Sequence, residues 1–203
     1  MNAAARRFDI APGFDDPVPQ AQAVFRAVLD AMAEPGRAIA VAGIAAAPAP
    51  LSPVAAAVIA TLSDFETTVF CDAALRSEAV VGWIGFHTGS TAVVDGEAAD
   101  FAVIGDATGA PAWETFRLGT DVEPSRSATI VLQVAGFAGG RRYRLAGPGI
   151  AGTREVAIDG GPADLAARAA ANGALFPRGV DLVLAGPGSV MALPRTTRIE
   201  EIG

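Results

Sequence analysis

The run Ala128 to Val134 constrains the fold more than any other stretch, because Thr129, Ile130, Val131, Leu132 and Val134 form a nearly continuous β-rich segment with no polar face. Such a strand suits a sheet covered on both sides, which calls for helices or a second layer above and below it. The rest of the chain supplies those elements. Val24, Phe25, Val28, Leu29 and Met32 recur at helical spacing after Pro19 and before Pro35-Gly36, giving a helix whose apolar face is core or interface. Ser52-Pro53 is a cap followed by a first-turn proline, and Val54, Val58, Ile59 and Leu62 supply a second helical stripe. Asp164 to Ala171 reads as a short helix stopped by Asn172-Gly173. Leu75 to Phe86 is ambiguous, with helical spacing at Leu75, Ala79, Val80 and Ile84.

Further strands are expected at Ala38 to Ala42, which reads as buried, at Thr67 to Cys71, at Thr91 to Val94 and at Asp100 to Ile104. Gly139-Gly140 is expected to turn the central strand into a hairpin partner at Arg141 to Leu145. A second hairpin, Val180 to Ala185 and Ser189 to Leu193, closes on Gly186-Pro187-Gly188, and Pro194 ends its pairing. Helices alternate with strands early and hairpins dominate late. The class is therefore α/β, a single-domain, mixed-sheet α/β/α sandwich over residues 19–203, preceded by an extended arm over residues 1–18.

Composition excludes several functions. The net charge of −7 and the absence of any basic run argue against nucleic-acid binding. No apolar segment follows Arg6-Arg7, and Gly43, Pro48, Pro50 and Pro53 break the apolar stretch from Ala38 to Leu62, so neither a signal peptide nor a membrane span is expected and the cytoplasm is the expected location. A lone Cys71 fits a reducing compartment. With 51% hydrophobic and only 18% charged residues, apolar surface is expected to seek burial in an oligomer.

All fifteen basic residues are arginines and there is no lysine, which removes an internal Schiff base and a phosphate-binding P-loop lysine. One histidine and one cysteine cannot complete a zinc or iron–sulfur site within the chain, and the carboxylates show no ligand spacing, so no metal is assigned. His87, in Phe86-His87-Thr88-Gly89, is a base, a phosphate donor or a satisfied turn histidine, the last being preferred. Arg178, Arg195, Thr196, Thr197 and Arg198 gather around the C-terminal hairpin, where arginine either grips phosphate or carboxylate or forms salt bridges within an interface. No residue is assigned as catalytic.

Five stretches in the same order carry a resemblance: Phe25 to Arg37, Thr61 to Phe70, Gly85 to Ser90, Ala128 to Ile150 and Leu175 to Thr197. Together they resemble the PhnH family, a subunit of the bacterial carbon–phosphorus lyase complex. The resemblance implies a fold like that of pyridoxal-phosphate-dependent transferases without the cofactor; a homodimer is expected when the chain is isolated, because its surface for partners would otherwise stay wet. It also implies a helper role beside PhnG, PhnI, PhnJ and PhnL in moving an alkylphosphonate onto the ribose of ATP with loss of adenine. The alternative is a stand-alone enzyme or binding module for a phosphorylated sugar or nucleotide.

Overall fold

The computed structural model describes residues 10–203. Four helices, α1 (Pro17–Ala33), α2 (Pro53–Leu62), α3 (Glu78–Thr88) and α4 (Leu165–Gly173), pack on two sheets. The larger sheet has seven strands: β1 (Ile39–Ala40), β2 (Thr68–Cys71), β3 (Thr91–Val93), β4 (Phe101–Ile104), β5 (Thr129–Gln133), β8 (Asp181–Gly186) and β9 (Ser189–Leu193), in the order β1-β9-β8-β5-β4-β2-β3. The five strands from β3 to β8 run parallel, and β9 and β1 close the other edge antiparallel. The smaller sheet is antiparallel throughout, with β6 (Gly136–Ala146) between β7 (Arg154–Asp159) and β10 (Arg198–Ile202).

Alternation along the parallel strands divides the core in two. Val69, Cys71, Val103, Val131 and Val183 face α1, α2 and α3; Phe70, Ala102, Ile104, Ile130, Leu132, Leu182 and Leu184 face α4 and the small sheet through Tyr143, Leu145, Ile158 and Leu165. One side of the large sheet is thus covered by helices, as expected. The other departs from an α/β/α sandwich, because a three-stranded sheet with one short helix covers it.

That departure follows from charge. The expected hairpin between β5 and Arg141 to Leu145 does not form: β5 lies between parallel β4 and β8, and β6 crosses to the other sheet. Arg141, Arg142 and Arg144 could not enter a strand buried on both faces, whereas the small sheet lets them reach Glu201 and Glu155 in solvent at 2.5 Å and 2.8 Å. Gly139 and Gly140, at φ 88° and 71°, make a bulge within β6 instead of a turn; a Cβ on Gly140 would lie 2.4 Å from the Ile158 carbonyl oxygen.

Local signals set most of the remaining boundaries. Ser52 and Ser77 cap α2 and α3 by accepting from the N–H of Ala55 and Val80, each at 3.2 Å, and Gly89 ends α3 in the left-handed region at φ 75°. The ambiguous stretch Leu75 to Phe86 resolves into α3. The buried strand expected at Ala38 to Ala42 shrinks to the two-residue edge strand β1, because only β9 lies beside it. Residues 1–9 of the expected arm lie outside the described residues. Its remainder runs from Ile10 against α3 and enters α1 at Pro17, so the helix begins before Pro19. No described helix is long and apolar enough to cross a membrane.

Candidate functional site

The turn between β9 and β10 is Pro194 to Thr197, closed by the Thr197 N–H donating to the Pro194 carbonyl at 2.8 Å. Arg195 within it does not project into solvent as a free cation. Its guanidinium donates to Asp181 Oδ1 at 3.2 Å and Oδ2 at 2.5 Å, to Ser127 Oγ at 2.5 Å, and to the carbonyls of Pro124 and Pro177 at 3.0 Å and 3.2 Å. The Arg195 N–H donates to Asp181 Oδ1 as well, at 2.8 Å. With 13% and 23% of their side chains exposed, Arg195 and Asp181 form a nearly buried forked pair that ties β8, the residues before β5 and the corner before β8 to one point. Of the alternatives for Arg195, the structure shows an intramolecular salt bridge.

Beside this clamp lies a pocket of about 590 Å³ between α4 and the turn. Ala169, Ala170 and Gly173 line it from α4, Phe176 stands at 64% exposure on its margin, and Thr196, Thr197 and Arg198 line the other side. Thr197 is buried, and its hydroxyl has no hydrogen-bond partner among the described residues. Arg198 opens β10, paired through its backbone position with Ala146, and its guanidinium makes no ion pair among the described residues. Four of the six nominated residues therefore converge.

The other two stand elsewhere. Arg178 Nε lies 3.4 Å from Asp121 Oδ1 and does not line the pocket. His87 belongs to the last turn of α3, on the opposite face of the large sheet from α4. Its Nε2 meets the Ala11 carbonyl at 2.9 Å, and its ring packs against Trp83, whose Nε1 donates to the Pro12 carbonyl at 3.3 Å. The reading of a hydrogen-bonded histidine holds, although in a helix instead of a turn. His87 and Trp83 together fasten residues 10–14 to α3.

That fastening borders a second pocket of about 650 Å³, lined by Ile10, Ala11, Pro48, Ala79, Gly82, Trp83 and Glu78. Its walls are apolar, and its one charged side chain is a carboxylate. An anionic ligand is disfavoured there.

Cys71 ends β2 in the core, and burial, with a smaller contribution from Asp72 that Arg76 partly offsets, raises its thiol to about 11. A protonated, enclosed thiol is a poor nucleophile. It should resist thiol reagents at pH 8 in the native chain and react rapidly once denatured; rapid native labelling would contradict this. Because the folded value lies above the ordinary thiol value of 9.0, its contribution to stability is complete below pH 9 and is lost as pH rises toward 11. Among the described residues, no group of three or more His, Cys, Asp or Glu side chains is arranged to hold a metal.

The family model described as "Bacterial phosphonate metabolism protein (PhnH)" matches residues 12–200. The chain belongs to the PhnH family. Among its relatives, the "Alpha-D-ribose 1-methylphosphonate 5-triphosphate synthase subunit PhnH" of Rhizobium meliloti (strain 1021) is 40% identical over 187 residues, covering 92% of this chain and 94% of that protein. The "Putative C-P lyase subunit protein HtxG" of Stutzerimonas stutzeri is 33% identical over 183 residues, covering 89% of this chain and 86% of that protein.

Two structural centres of this PhnH-family chain were not found by sequence reasoning. Asp181, the partner of Arg195, sits at a strand start with nothing around it to mark a buried carboxylate. Asp72, which is buried, follows β2 and accepts from the N–H groups of Leu75, Gly105 and Asp106 at 3.1, 3.0 and 3.0 Å. It thereby ties the end of β2 to the loop after β4 at the carboxyl ends of these parallel strands. Phe176 had a visible signal, an aromatic side chain next to the Pro177-Arg178-Gly179 corner.

Proposed function

We propose that this chain is a helper subunit of a multi-subunit α-D-ribose 1-methylphosphonate 5-triphosphate synthase in phosphonate catabolism. It supports transfer of an alkylphosphonate onto the ribose C1 of ATP with release of adenine and is not catalytic on its own. The observation that carries this reading is 40% identity to a named subunit of such an enzyme across 94% of that protein's length. The chemistry of the chain supports it. The thiol is enclosed, the imidazole holds a backbone carbonyl, and the most conspicuous arginine is consumed by Asp181.

The subunit acts with PhnG, PhnI and PhnJ in the cytoplasm and pairs with itself when isolated. On α1, Val24 and Val28 are buried while Phe25 and Leu29 are exposed, so this helix offers apolar surface outward as well as inward. A fold kinship with pyridoxal-phosphate-dependent transferases, without the cofactor, belongs to the same reading; with no lysine, an internal aldimine has no amine to form on.

Affinity-tagged chain from phosphonate-grown cells should bring down the other synthase subunits, and the pure chain alone should leave ATP and methylphosphonate unchanged. Recovery of the tagged chain without those subunits, or turnover by the chain alone, would overturn the reading.

A further inference from the structure

We propose that the pocket between α4 and the β9–β10 turn binds a phosphorylated sugar or nucleotide, with Arg198 gripping phosphoryl oxygens and Phe176 covering the sugar or base. This deepens the reading above, because it rests on the chain serving a reaction whose product is a ribose triphosphate.

The volume, about 590 Å³, lies within the roughly 300–1,000 Å³ of small-molecule sites. The chemistry of the lining separates it from the larger pocket at α3. There the one charged side chain is Glu78, which repels phosphate; here the charged side chains are two arginines, flanked by two threonine hydroxyls. Arg195 is neutralised by Asp181 and acts as a fixed wall, leaving Arg198 as the guanidinium whose charge is not offset by an ion pair among the described residues. A planar fork of this kind takes two phosphoryl oxygens at once.

Thr197 supplies an independent observation. It lines the pocket, is 96% buried by its 4% relative exposure, and leaves its hydroxyl without a partner among the described residues. A buried hydroxyl in that condition carries an uncompensated desolvation cost, which a small movement of the turn toward a bound oxygen would remove.

The carboxyl end of α4 would oppose an anion if its last carbonyls were bare. Three of the last four are not: the N–H groups of Ala174, Leu175 and Phe176 donate to the carbonyls of Ala170, Asn172 and Gly173 at 3.1, 3.1 and 3.2 Å, which lessens the opposition. Ala169, Ala170 and Gly173 then present a low floor on which a flat ring can lie, and the exposed ring of Phe176 is placed to stack on it.

Calorimetric titration of the pure chain with ATP, ribose 5-phosphate and inorganic tripolyphosphate tests this. All three should bind, ATP most tightly. Arg198→Ala should weaken all three by roughly tenfold or more, while Phe176→Ala should weaken ATP and ribose 5-phosphate and leave tripolyphosphate unchanged. Both residues are exposed, so the variants should fold, and Arg126→Ala on the exposed loop before β5 should bind as wild type. Absence of binding by the wild-type chain at millimolar ligand, or equal affinities in wild type and Arg198→Ala, would overturn the site. If the chain still captures the other synthase subunits in either case, the site fails while the subunit reading stands.

Discussion

Arg195→Ala lowers the melting temperature of the isolated chain by roughly 6–12 °C, corresponding to about 3 kcal/mol for a protein of this size. The substitution leaves the Asp181 carboxylate in a site with 23% side-chain exposure and no cation, and removes donors from Ser127 and from the carbonyls of Pro124 and Pro177. Breaking one side of such a pair costs more than the pair contributes over an apolar alternative, because the surviving charge stays desolvated. Arg195→Lys should recover only part of the loss, since an ammonium cannot bridge both carboxylate oxygens and two carbonyls together. Thermal unfolding followed by circular dichroism decides it; a shift below about 2 °C would mean that solvent already screens the pair.

The second large effect belongs to Asp72→Ala, expected to destabilise the chain by about 3–4 kcal/mol in urea unfolding, from three charge-assisted hydrogen bonds lost inside the molecule. The Asp72 carboxylate holds the start of the segment leading to α3 together with the loop after β4, and without it the N–H groups of Leu75, Gly105 and Asp106 lose their acceptor. Asp72→Asn keeps one oxygen and should cost less. Equal stability of Asp72→Ala and wild type would show that water replaces the carboxylate at no cost.

These two residues show where sequence reasoning stopped. Arg195 was identified as important, but its role depends on Asp181, 14 positions away, and on Ser127 and Pro124 before a different strand. Nothing in the spacing of those residues marks them as neighbours. The small sheet was missed for a similar reason: β7 carries Val156 and Ile158 at alternate positions, and β10 carries Ile199 and Ile202, yet both are short and rich in charge. They become strands because β6 offers them a ladder. His87 and the Arg195 cluster, nominated together, lie on opposite faces of the large sheet, and the face an element covers depends on the order of strands in the sheet, which residue spacing does not give.

The sequence alone determined what depends on near neighbours or on composition. The β-branched run of β5 required a sheet covered on both sides, Ser52 and Ser77 started their helices, and Gly89 ended one. The absence of lysine limited the chemistry before any fold was known, and the ordered motifs established the family. Only the tertiary structure decided that a second sheet, and not helices alone, covers one face, that Arg195 is an internal clamp, and that Arg198 and Phe176 share a pocket with a buried hydroxyl. The physical reason is range. Caps, turns and periodic burial are settled within a few residues, whereas ion pairing and pocket formation depend on which distant segments pack together to remove apolar surface from water.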